Sequence, residues 1–248
     1  MNTTFNEELY LTNETGRMLY HKYAEHMPII DYHCHLQPKE IYENRQFEDI
    51  GEMWLSGDHY KWRAMRTFGI EEKYITGTET TYYEKYMKFA EILPQMIGNP
   101  IYIWCALELK RFFGIDEPLS ARNADEIYKR TKAMIQEKNI TPRWCMEISN
   151  VELASTTEDP IDDLHYHIAM KEDPSLKTRI ITAFRPDKAM FLRDKEFGTY
   201  VKTLGQVAGV EIVTFKDLIG ALESRLQYFQ KVTGTTVSDD GIPDFTWV

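Results

Sequence analysis

The sequence comprises 248 residues, of which 43% are hydrophobic and 27% charged, and its formal net charge at pH 7 is −10. This composition is typical of a soluble globular protein that buries a core, and it excludes an intrinsically disordered chain. The 29 Lys and Arg residues are scattered among 39 acidic residues, so we expect no binding to nucleic acid or to an anionic membrane surface.

The N-terminus, MNTTFNEELYLTNE, has neither the basic start nor the apolar core of a secretory signal. No apolar run reaches the roughly 18 residues of a membrane span, so a cytoplasmic protein is expected. Cys34, Cys105 and Cys145 are widely spaced and form neither a disulfide framework nor a CxxC motif. We expect them to be reduced, buried thiols, with Cys34 pointing away from the histidines beside it.

A helix predicted at residues 13–26 is followed by the first predicted strand, residues 28–36, PIIDYHCHL. Side chains alternate along a strand, so Asp31, His33 and His35 are expected on one face. Two imidazoles about 7 Å apart along a strand can converge on one metal ion, and imidazole is the commonest protein ligand for zinc-like ions. The spacing predicts half of a metal site at His33 and His35. The alternative is a partly exposed pair near the end of a strand.

Residues 37–150 show helix signals and no strand pattern, which predicts a helical insertion after the first strand. Its aromatic-rich faces, such as that of Tyr82, Tyr83, Tyr86 and Phe89, are expected to pack in a core, and the alternative is a cofactor-binding face. The helix signals are residues 58–68, residues 100–113, a capping box of Asn123 and Glu126, and a start at Thr141.

Strands and helices alternate after residue 150, a pattern that indicates βα units and a parallel sheet. The predicted strands are 151–157, 179–184 and 235–238, and the predicted helices are one after Pro160, one at 196–208 and one from Thr214 to Gly234. With the first strand this makes four, half of the eight in a closed (β/α)8 barrel. We therefore expect an α/β fold in which residues 1–36 and 151–248 form an incomplete TIM-like barrel of about four βα units, with residues 37–150 inserted.

One candidate for chemistry is the heptapeptide GDHYKWR, residues 57–63, at a predicted helix start. His59 and Tyr60 are candidates to donate hydrogen bonds to a substrate or to move protons. The alternative is that Asp58 only caps the helix and that the remaining side chains are solvated.

A second candidate is Arg185, which leaves the end of a predicted strand in the segment FRPDK. Its planar fork of donors suits a substrate carboxylate, whereas the alternative is a simple pair with Asp187. The acidic segment SDDG, residues 238–241, follows the last predicted strand. It is either part of the same site or a plain loop.

His165 and His167 repeat the HxH motif of His33 and His35, but they lie on a predicted helix. Helical residues two apart lie about 200° apart around the axis. We therefore expect that His165 and His167 cannot share an ion and that both lie on the surface.

Four segments carry a resemblance to a known family. They read IIDYHCHLQPKEIYENRQFEDIGEMWLSGDHYKWRAMR, IGNPIYIWCALELKRFFGI, STTEDPIDDLHYH and FRPDKA. Together they closely resemble the N-terminal half of uronate isomerase (glucuronate isomerase), an outlying branch of the amidohydrolase superfamily. GDHYKWRAMR and FRPDKA are specific to that branch, whereas the superfamily as a whole shares HxH.

The resemblance implies a distorted (β/α)8 barrel of the metal-dependent hydrolase type. It implies interconversion of D-glucuronate with D-fructuronate and of D-galacturonate with D-tagaturonate. It further implies one divalent metal ion, usually zinc, held by His33, His35 and an aspartate of the eighth strand. His59 and Tyr60 would face the sugar, and Arg185 would take part in binding the hexuronate substrate.

Two departures from the family pattern qualify these expectations. Asp240 stands where the family usually has the histidine of SDHG, and a chain that ends at Val248 has no counterpart of the strand-eight Asp-Trp-Arg segment. We therefore expect the isolated chain to be inactive as an isomerase, or to act as a homo-oligomer or paired with a missing C-terminal half. Two alternatives stay open. One is a noncatalytic half-barrel fragment that binds metal weakly or self-associates, and the other is a metal-dependent hydrolase of the superfamily.

Overall fold

The computed structural model describes residues 8–239, which form two compact units. The helical unit contains Arg45–Ile148 together with the described residues that end at Met27, and the sheet unit contains Pro28–Asn44 together with the described residues from Ser149 on. These bounds differ from the predicted division after residues 36 and 150. The reason is that the helix following residue 37 packs within the sheet unit, where the ring of Tyr42 lies 5.6 Å from another tyrosine ring.

Residues 8–239 are mostly helical and contain one small sheet. The helices are α1 (Glu14–Leu19), α2 (Pro38–Glu43), α3 (Ile50–Leu55), α4 (His59–Thr67), α5 (Tyr82–Ile92), α6 (Pro100–Phe113), α7 (Ala124–Lys138), α8 (Pro142–Ile148), α9 (His165–Lys171), α10 (Asp187–Met190), α11 (Phe197–Ala208) and α12 (Phe215–Thr233), and the strands are β1 (Ile29–Asp31), β2 (Val151–Glu158) and β3 (Arg179–Phe184). A π-helical turn, Tyr20–Ala24, extends α1, so the predicted first helix is continuous but changes its hydrogen-bond pattern.

Several helix boundaries follow directly from capping residues. Helix α6 begins after Asn99, whose side chain accepts a hydrogen bond from the amide of Ile101, and it ends at Gly114, which has a left-handed φ of 63°. Helix α12 begins after Thr214, which forms a capping box with Asp217. The predicted helices at 100–113 and from residue 214 on are thereby confirmed.

The capping box predicted for Asn123 and Glu126 is wrong. Asn123 precedes α7 but makes no side-chain bond to its first turn. Its Oδ1 instead accepts hydrogen bonds from the backbone amide of Ser120, at 2.8 Å, and from the Ser120 hydroxyl, at 3.1 Å. The short polar side chain therefore closes the turn before the helix, an alternative that Asn side chains offer to any nearby backbone donor.

The sheet has the order β1-β2-β3, and both strand pairs are parallel. The fourth predicted strand, residues 235–238, is reduced to one parallel bridge between Phe184 and Ser238. Within residues 8–239 the structure thus has three strands where the sequence predicts four. One reason is local, because the hydroxyl of Thr235 accepts the amide of Val237 at 3.1 Å and so takes a donor that a longer ladder would use.

Strand β1 ends at Asp31 rather than at the predicted residue 36. Beyond it the amide of Cys34 donates to the carbonyl of Ser155 at 2.8 Å, and the hydroxyl of Thr157 donates to the carbonyl of Cys34 at 3.0 Å. The chain therefore continues alongside β2, but the hydroxyl of Thr157 donates the second hydrogen bond in place of a backbone amide. The regular strand on which the prediction of a shared face for Asp31, His33 and His35 depends ends at Asp31.

Each unit has its own apolar core. In the helical unit the ring of Trp54 packs against Tyr86 and Phe89, with ring centroids 6.2 and 6.0 Å apart, respectively. In the sheet unit Phe184 and Phe229 pack edge to face with centroids 5.2 Å apart. Tyr86 and Phe89, from the aromatic-rich face of the insertion, are thus core residues, as predicted, and with Trp54 they hold α3 to α5.

The α/β class and the parallel sheet are confirmed, and no strand interrupts the helices between residues 37 and 150. The incomplete TIM-like (β/α)8 barrel of about four βα units stays a prediction. None of the helices in residues 8–239 is both long enough and apolar enough to cross a membrane. All three cysteines have free thiols, as predicted, although only Cys105 is fully buried.

Candidate active site

His33 and His35 follow β1 directly, at the carboxyl edge of the sheet. Their ring centroids are 4.9 Å apart and the rings are nearly perpendicular, at 89°. The intervening Cys34 is bonded through its backbone to β2, which anchors the segment that carries both rings. Burial raises the pKa of the Cys34 thiol to about 11, so this sulfur stays protonated at neutral pH and is a poor metal ligand there.

Arg185 follows β3, and its backbone amide donates to the carbonyl of Glu158 at 3.0 Å. Its Nε donates to Oδ2 of Asp187 at 2.7 Å, and its Nη1 lies 3.4 Å from Oδ2 of Asp239. The pair with Asp187, which was the alternative interpretation of Arg185, is therefore present. Asp187 and Asp239 together restrain the guanidinium at two of its edges. This pairing does not exclude a role of Arg185 in binding a substrate.

Asp239 lies between one predicted metal ligand and the predicted substrate arginine. Its Oδ2 is 3.9 Å from Nδ1 of His33 and 3.4 Å from Nη1 of Arg185. The sequence analysis includes Asp239 only as a member of the segment SDDG, which it leaves open as part of the site or a plain loop. The available signal was the position of SDDG just after a predicted strand, because the carboxyl ends of parallel strands meet at one edge of the sheet. Asp240, whose identity departs from the family pattern, lies outside the described residues.

His59 and Tyr60 begin α4 and belong to the helical unit. Asp58 caps this helix, since its Oδ1 accepts the amides of Tyr60 at 2.9 Å and Lys61 at 3.0 Å. Both rings are exposed, their centroids are 4.2 Å apart, and their planes are tilted by 33°. The guanidinium of Arg63 lies 5.9 Å from the centre of the Tyr60 ring. Asp58 therefore caps the helix, as one interpretation predicts, and His59 and Tyr60 are exposed on its first turn, as the other requires.

Lys61 is buried, which the solvated alternative for GDHYKWR does not predict. Its side chain is only 7% exposed, and Nζ donates to Oδ2 of Asp58 at 2.6 Å. Burial by itself would raise the pKa of Asp58, but the Lys61 ammonium and the hydrogen bonds to the carboxylate outweigh it and lower that pKa. A buried ion pair thus fixes the turn from which His59 and Tyr60 project.

The prediction that His167 lies on the surface is wrong, whereas His165 is exposed as predicted. His167 packs from α9 onto the sheet, and its Nε2 is 2.9 Å from the hydroxyl of Thr156 and 3.5 Å from Oε2 of Glu158. The Thr156 hydroxyl also lies 2.6 Å from Oε2 of Glu158, so it joins the imidazole to the carboxyl group. The reason for the difference in burial is that α9 packs with one side against the sheet. His167 lies on that side, and His165 lies on the opposite side, which is exposed.

Imidazole nitrogens of His33 and His35 are donors of the kind that zinc-like ions prefer. Among residues 8–239 no group of three or more His, Cys, Asp or Glu side chains is arranged to hold a metal ion. Catalytic zinc sites usually have three protein ligands. The donor chemistry at His33 and His35 therefore fits a divalent cation, and in the described part of the chain the two residues are candidate ligands only.

The structure thus brings His33 and Arg185 to one carboxylate, places His35 beside His33, and puts His59 and Tyr60 side by side on α4.

Comparison with known proteins gives one consistent family. The family model described as glucuronate isomerase matches residues 1–248. The uronate isomerase of Caldicellulosiruptor bescii is 47% identical over 247 residues, which cover 100% of this chain and 52% of the relative. That of Clostridium perfringens is 46% identical over 242 residues, which cover 98% and 52%, respectively. The chain therefore spans about half the length of the curated relatives it matches.

Solved structures agree with the sequence relatives. The crystal structure of uronate isomerase from Thermotoga maritima matches with a TM-score of 0.87 at 34% identity, covering 95% of this chain and 51% of that one. Glucuronate isomerase from Caulobacter crescentus matches with a TM-score of 0.85 at 27% identity, covering 96% and 52%, respectively. The resemblance carried by the four sequence segments is confirmed, and the chain belongs to the glucuronate isomerase family.

Proposed function

We propose that this chain carries metal-binding and substrate-binding residues of a uronate isomerase, which interconverts the aldose and ketose forms of a hexuronate such as D-glucuronate and D-fructuronate. The observation that carries the proposal is the match to that family over the whole chain. The convergence of His33 and Arg185 on Asp239 supports it, because it joins a candidate metal ligand to a candidate carboxylate binder.

The reaction moves a carbonyl group from C1 to C2 of the sugar. A base takes the proton from C2, a cis-enediolate forms, and a proton returns to C1. Such a reaction needs a group that reaches the carbon acid and hydrogen-bond donors that face the developing oxyanion. In this chain His59 and Tyr60 are the candidates to donate hydrogen bonds or to move protons. The exposed rings on a rigidly capped helix suit contact with a sugar.

Arg185 binds the C6 carboxylate of the hexuronate through charge-assisted hydrogen bonds. Asp187 and Asp239 restrain the guanidinium, so that less conformational freedom is lost when the substrate binds. The fixed charge of the substrate is thereby converted into a defined position of C1 and C2 relative to the reacting groups.

His33 and His35 would hold a divalent metal ion, and we expect zinc. When bound, such an ion supplies positive charge that stabilises an oxyanion or orients the sugar hydroxyls. The role of the chain is to present two imidazoles from a segment that the backbone bonds of Cys34 anchor to β2.

The proposal is tested by assaying the purified chain for conversion of D-glucuronate to D-fructuronate with and without added zinc. The assay is repeated in a mixture with a polypeptide that spans the remaining half of the Caldicellulosiruptor bescii relative. We expect turnover in the mixture and none above background in the chain alone, because the chain spans about half of its relatives.

Two matched variants, His33→Ala and Arg185→Met, should abolish turnover in the mixture. Normal turnover by the chain alone would contradict a need for groups outside it. Hydrolysis of amide or lactone substrates by a mixture that does not isomerise uronates would overturn the assignment as an isomerase. A folded, stoichiometric complex of the two polypeptides without any turnover would overturn it as well.

A further inference from the structure

We propose that Asp239 is a positioning residue that orients both the imidazole of His33 and the guanidinium of Arg185, and so links the metal-binding and substrate-binding parts of the site. This inference rests on the proposed function for the roles of His33 and Arg185. The geometric relationship between the three side chains stands independently of it.

The backbone fixes Asp239 at the end of β3. Its amide donates to the carbonyl of Phe184 at 3.0 Å, and the amide of Phe184 donates to the carbonyl of Val237 at 3.1 Å. These two bonds form the parallel bridge between Phe184 and Ser238. Because Arg185 directly follows Phe184, the bridge places Asp239 beside Arg185. The position of the Asp239 side chain therefore does not depend on a long loop.

The carboxylate of Asp239 has an unusual environment. Its Oδ2 is buried and receives no hydrogen bond of good geometry from residues 8–239, whereas buried polar atoms in proteins are nearly always paired. The two cationic or titratable groups near it are Nη1 of Arg185 at 3.4 Å and Nδ1 of His33 at 3.9 Å. A shift of about 1 Å between His33 and Asp239 gives an N–H···O⁻ bond of ordinary length. The buried oxygen is therefore an acceptor placed for His33.

A hydrogen bond from His33 to Asp239 determines which ring nitrogen carries the proton. The proton lies on Nδ1, so that Nε2 has the lone pair that a metal ligand needs. In water an isolated neutral imidazole prefers the proton on Nε2, so that the carboxylate must reverse this preference. Fixing the tautomer and ring angle before a metal binds removes an ordering cost from binding.

The same carboxylate restrains Arg185. Asp187 accepts from Nε at 2.7 Å, and Asp239 lies against Nη1 at 3.4 Å. A hydrogen bond at Nε and a charge contact at Nη1 restrain both the position of this planar group and the rotation of its plane. Asp239 therefore adds to the contact with Asp187 a second restraint on the edge presented to the substrate.

The test measures the tautomer of His33 in the metal-free full chain, labelled with 15N-histidine, by long-range 1H–15N correlation at pH 8. The sequence contains 7 histidines, so each signal is assigned with a single His→Gln variant. His165, whose Nδ1 is 2.6 Å from Oδ1 of Asp163, is an internal reference for an imidazole bonded to a carboxylate through Nδ1. His167, whose Nε2 is 2.9 Å from the Thr156 hydroxyl, is a second internal reference, for an imidazole held through Nε2.

We expect His33 to be protonated on Nδ1 in the unmodified chain, to keep that tautomer in Asp239→Asn, and to change to the Nε2-protonated form in Asp239→Ala. The matched control Asp163→Ala should change the tautomer of His165 and leave His33 as it was. An Nε2-protonated His33 in the unmodified chain would overturn the proposal. So would an unchanged His33 tautomer in an Asp239→Ala variant whose amide spectrum is otherwise native.

A second measurement separates this proposal from the proposed function. In the isomerase mixture, Asp239→Asn should raise KM for D-glucuronate by about tenfold, because one charge-assisted contact to Arg185 is lost, with a smaller change in kcat. A tautomer that responds to Asp239→Ala in a chain that shows no isomerase activity in any mixture would support the positioning role and overturn the proposed function. Unchanged KM in an active mixture would overturn the link to Arg185.

Discussion

Oε2 of Glu158 and Nε2 of His167 lie 3.5 Å apart in the interior of the sheet unit, yet burial favours the neutral form of both groups. It raises the pKa of Glu158 to about 7 against the hydrogen bonds from Thr156 and Thr182, and it lowers the pKa of His167 to about 4. Thr182 donates to the same oxygen of Glu158. The cluster is therefore a hydrogen-bonded network between β2, β3 and α9 rather than a strong ion pair.

The Glu158→Gln variant should become more stable relative to the unmodified chain as the pH rises from 5 to 8. The folded-state pKa of Glu158, about 7, lies above the ordinary glutamate value of 4.5, so its contribution is fully present below pH 4.5 and is lost as the pH rises through 7. The change in relative free energy of unfolding should reach at most about 3 kcal/mol. Urea unfolding at pH 5 and pH 8 measures it.

The comparison must be made between variants, because His167 acts in the opposite direction. Its pKa is lowered from 6.5 to about 4, so the unfolded chain takes up the proton first and stability falls as the pH drops through that window. Glu152→Gln, an exposed change on the same strand, is the control. Equal effects of Glu158→Gln at both pH values would contradict the burial of an ionisable carboxyl.

Replacing Arg185 by Lys should lower kcat/KM for D-glucuronate in the isomerase mixture by about 10- to 100-fold, mainly through KM. Lysine keeps the charge but loses the planar fork that contacts Asp187 and Asp239 at different nitrogens. Steady-state kinetics measure the loss. The exposed Arg193 of the same unit provides the control variant Arg193→Lys, and equal kinetics for both variants would show that the fork of Arg185 is not used.

The Asp58→Ala variant should destabilise the helical unit more than the loss of a helix cap explains. The cap alone contributes about 1 kcal/mol, but the change also removes the carboxylate that accepts a hydrogen bond from the buried ammonium of Lys61 at 2.6 Å. We expect a total of about 2–4 kcal/mol. Asp58→Asn retains an acceptor for the helix amides and loses the charge. Its loss of unfolding free energy, measured in urea, should lie between the capping contribution and the total for Asp58→Ala.

A double-mutant cycle with Lys61→Met separates the two contributions. In the Lys61→Met background, Asp58→Ala should cost only the capping contribution, because the hydrogen-bonded contact between the Asp58 carboxylate and the Lys61 ammonium is already absent. An identical cost of Asp58→Ala in both backgrounds would mean that the ion pair contributes nothing to the stability of this turn.

Gly51→Ala and Gly220→Ala should have opposite effects on stability, although both glycines lie in helices. A Cβ at Gly51 would clash with the carbonyl oxygen of Tyr82, which is backbone and cannot move alone, whereas nothing lies within 4 Å of a Cβ at Gly220. Gly220→Ala should stabilise by about 0.5–1 kcal/mol. Gly51→Ala should destabilise by about 1–3 kcal/mol, the usual cost of overpacking. Thermal unfolding of both variants measures the contrast.

The bounds of several elements were predictable because short-range signals determine them. Strand β3 coincides with the predicted residues 179–184, and α6 with 100–113. A proline at the first helical position and a glycine just after the last one act within a few residues of the helix itself. Signals of this range failed where a side chain had a choice of partners, as Asn123 did with Ser120.

The candidate site was predictable in part. The sequence motifs HxH, GDHYKWR and FRPDK identified the candidates His33, His35, His59, Tyr60 and Arg185. The catalytic and binding roles of these residues stay predictions. SDDG was a candidate segment, but the position of Asp239 between His33 and Arg185 was not predictable in this way, because it depends on a bridge between segments 54 positions apart, Phe184 and Ser238.

By itself the sequence determined the α/β class, the helical character of residues 37–150 and the family, because residue types and periodicity along the chain carry this information. Only the tertiary structure decided that β1 stops at Asp31, that His167 and Lys61 are buried, and that a carboxylate lies between His33 and Arg185. Burial and pairing depend on which distant segments meet. Hydrogen bonds and desolvation act over a few ångströms in space, whatever the separation along the chain.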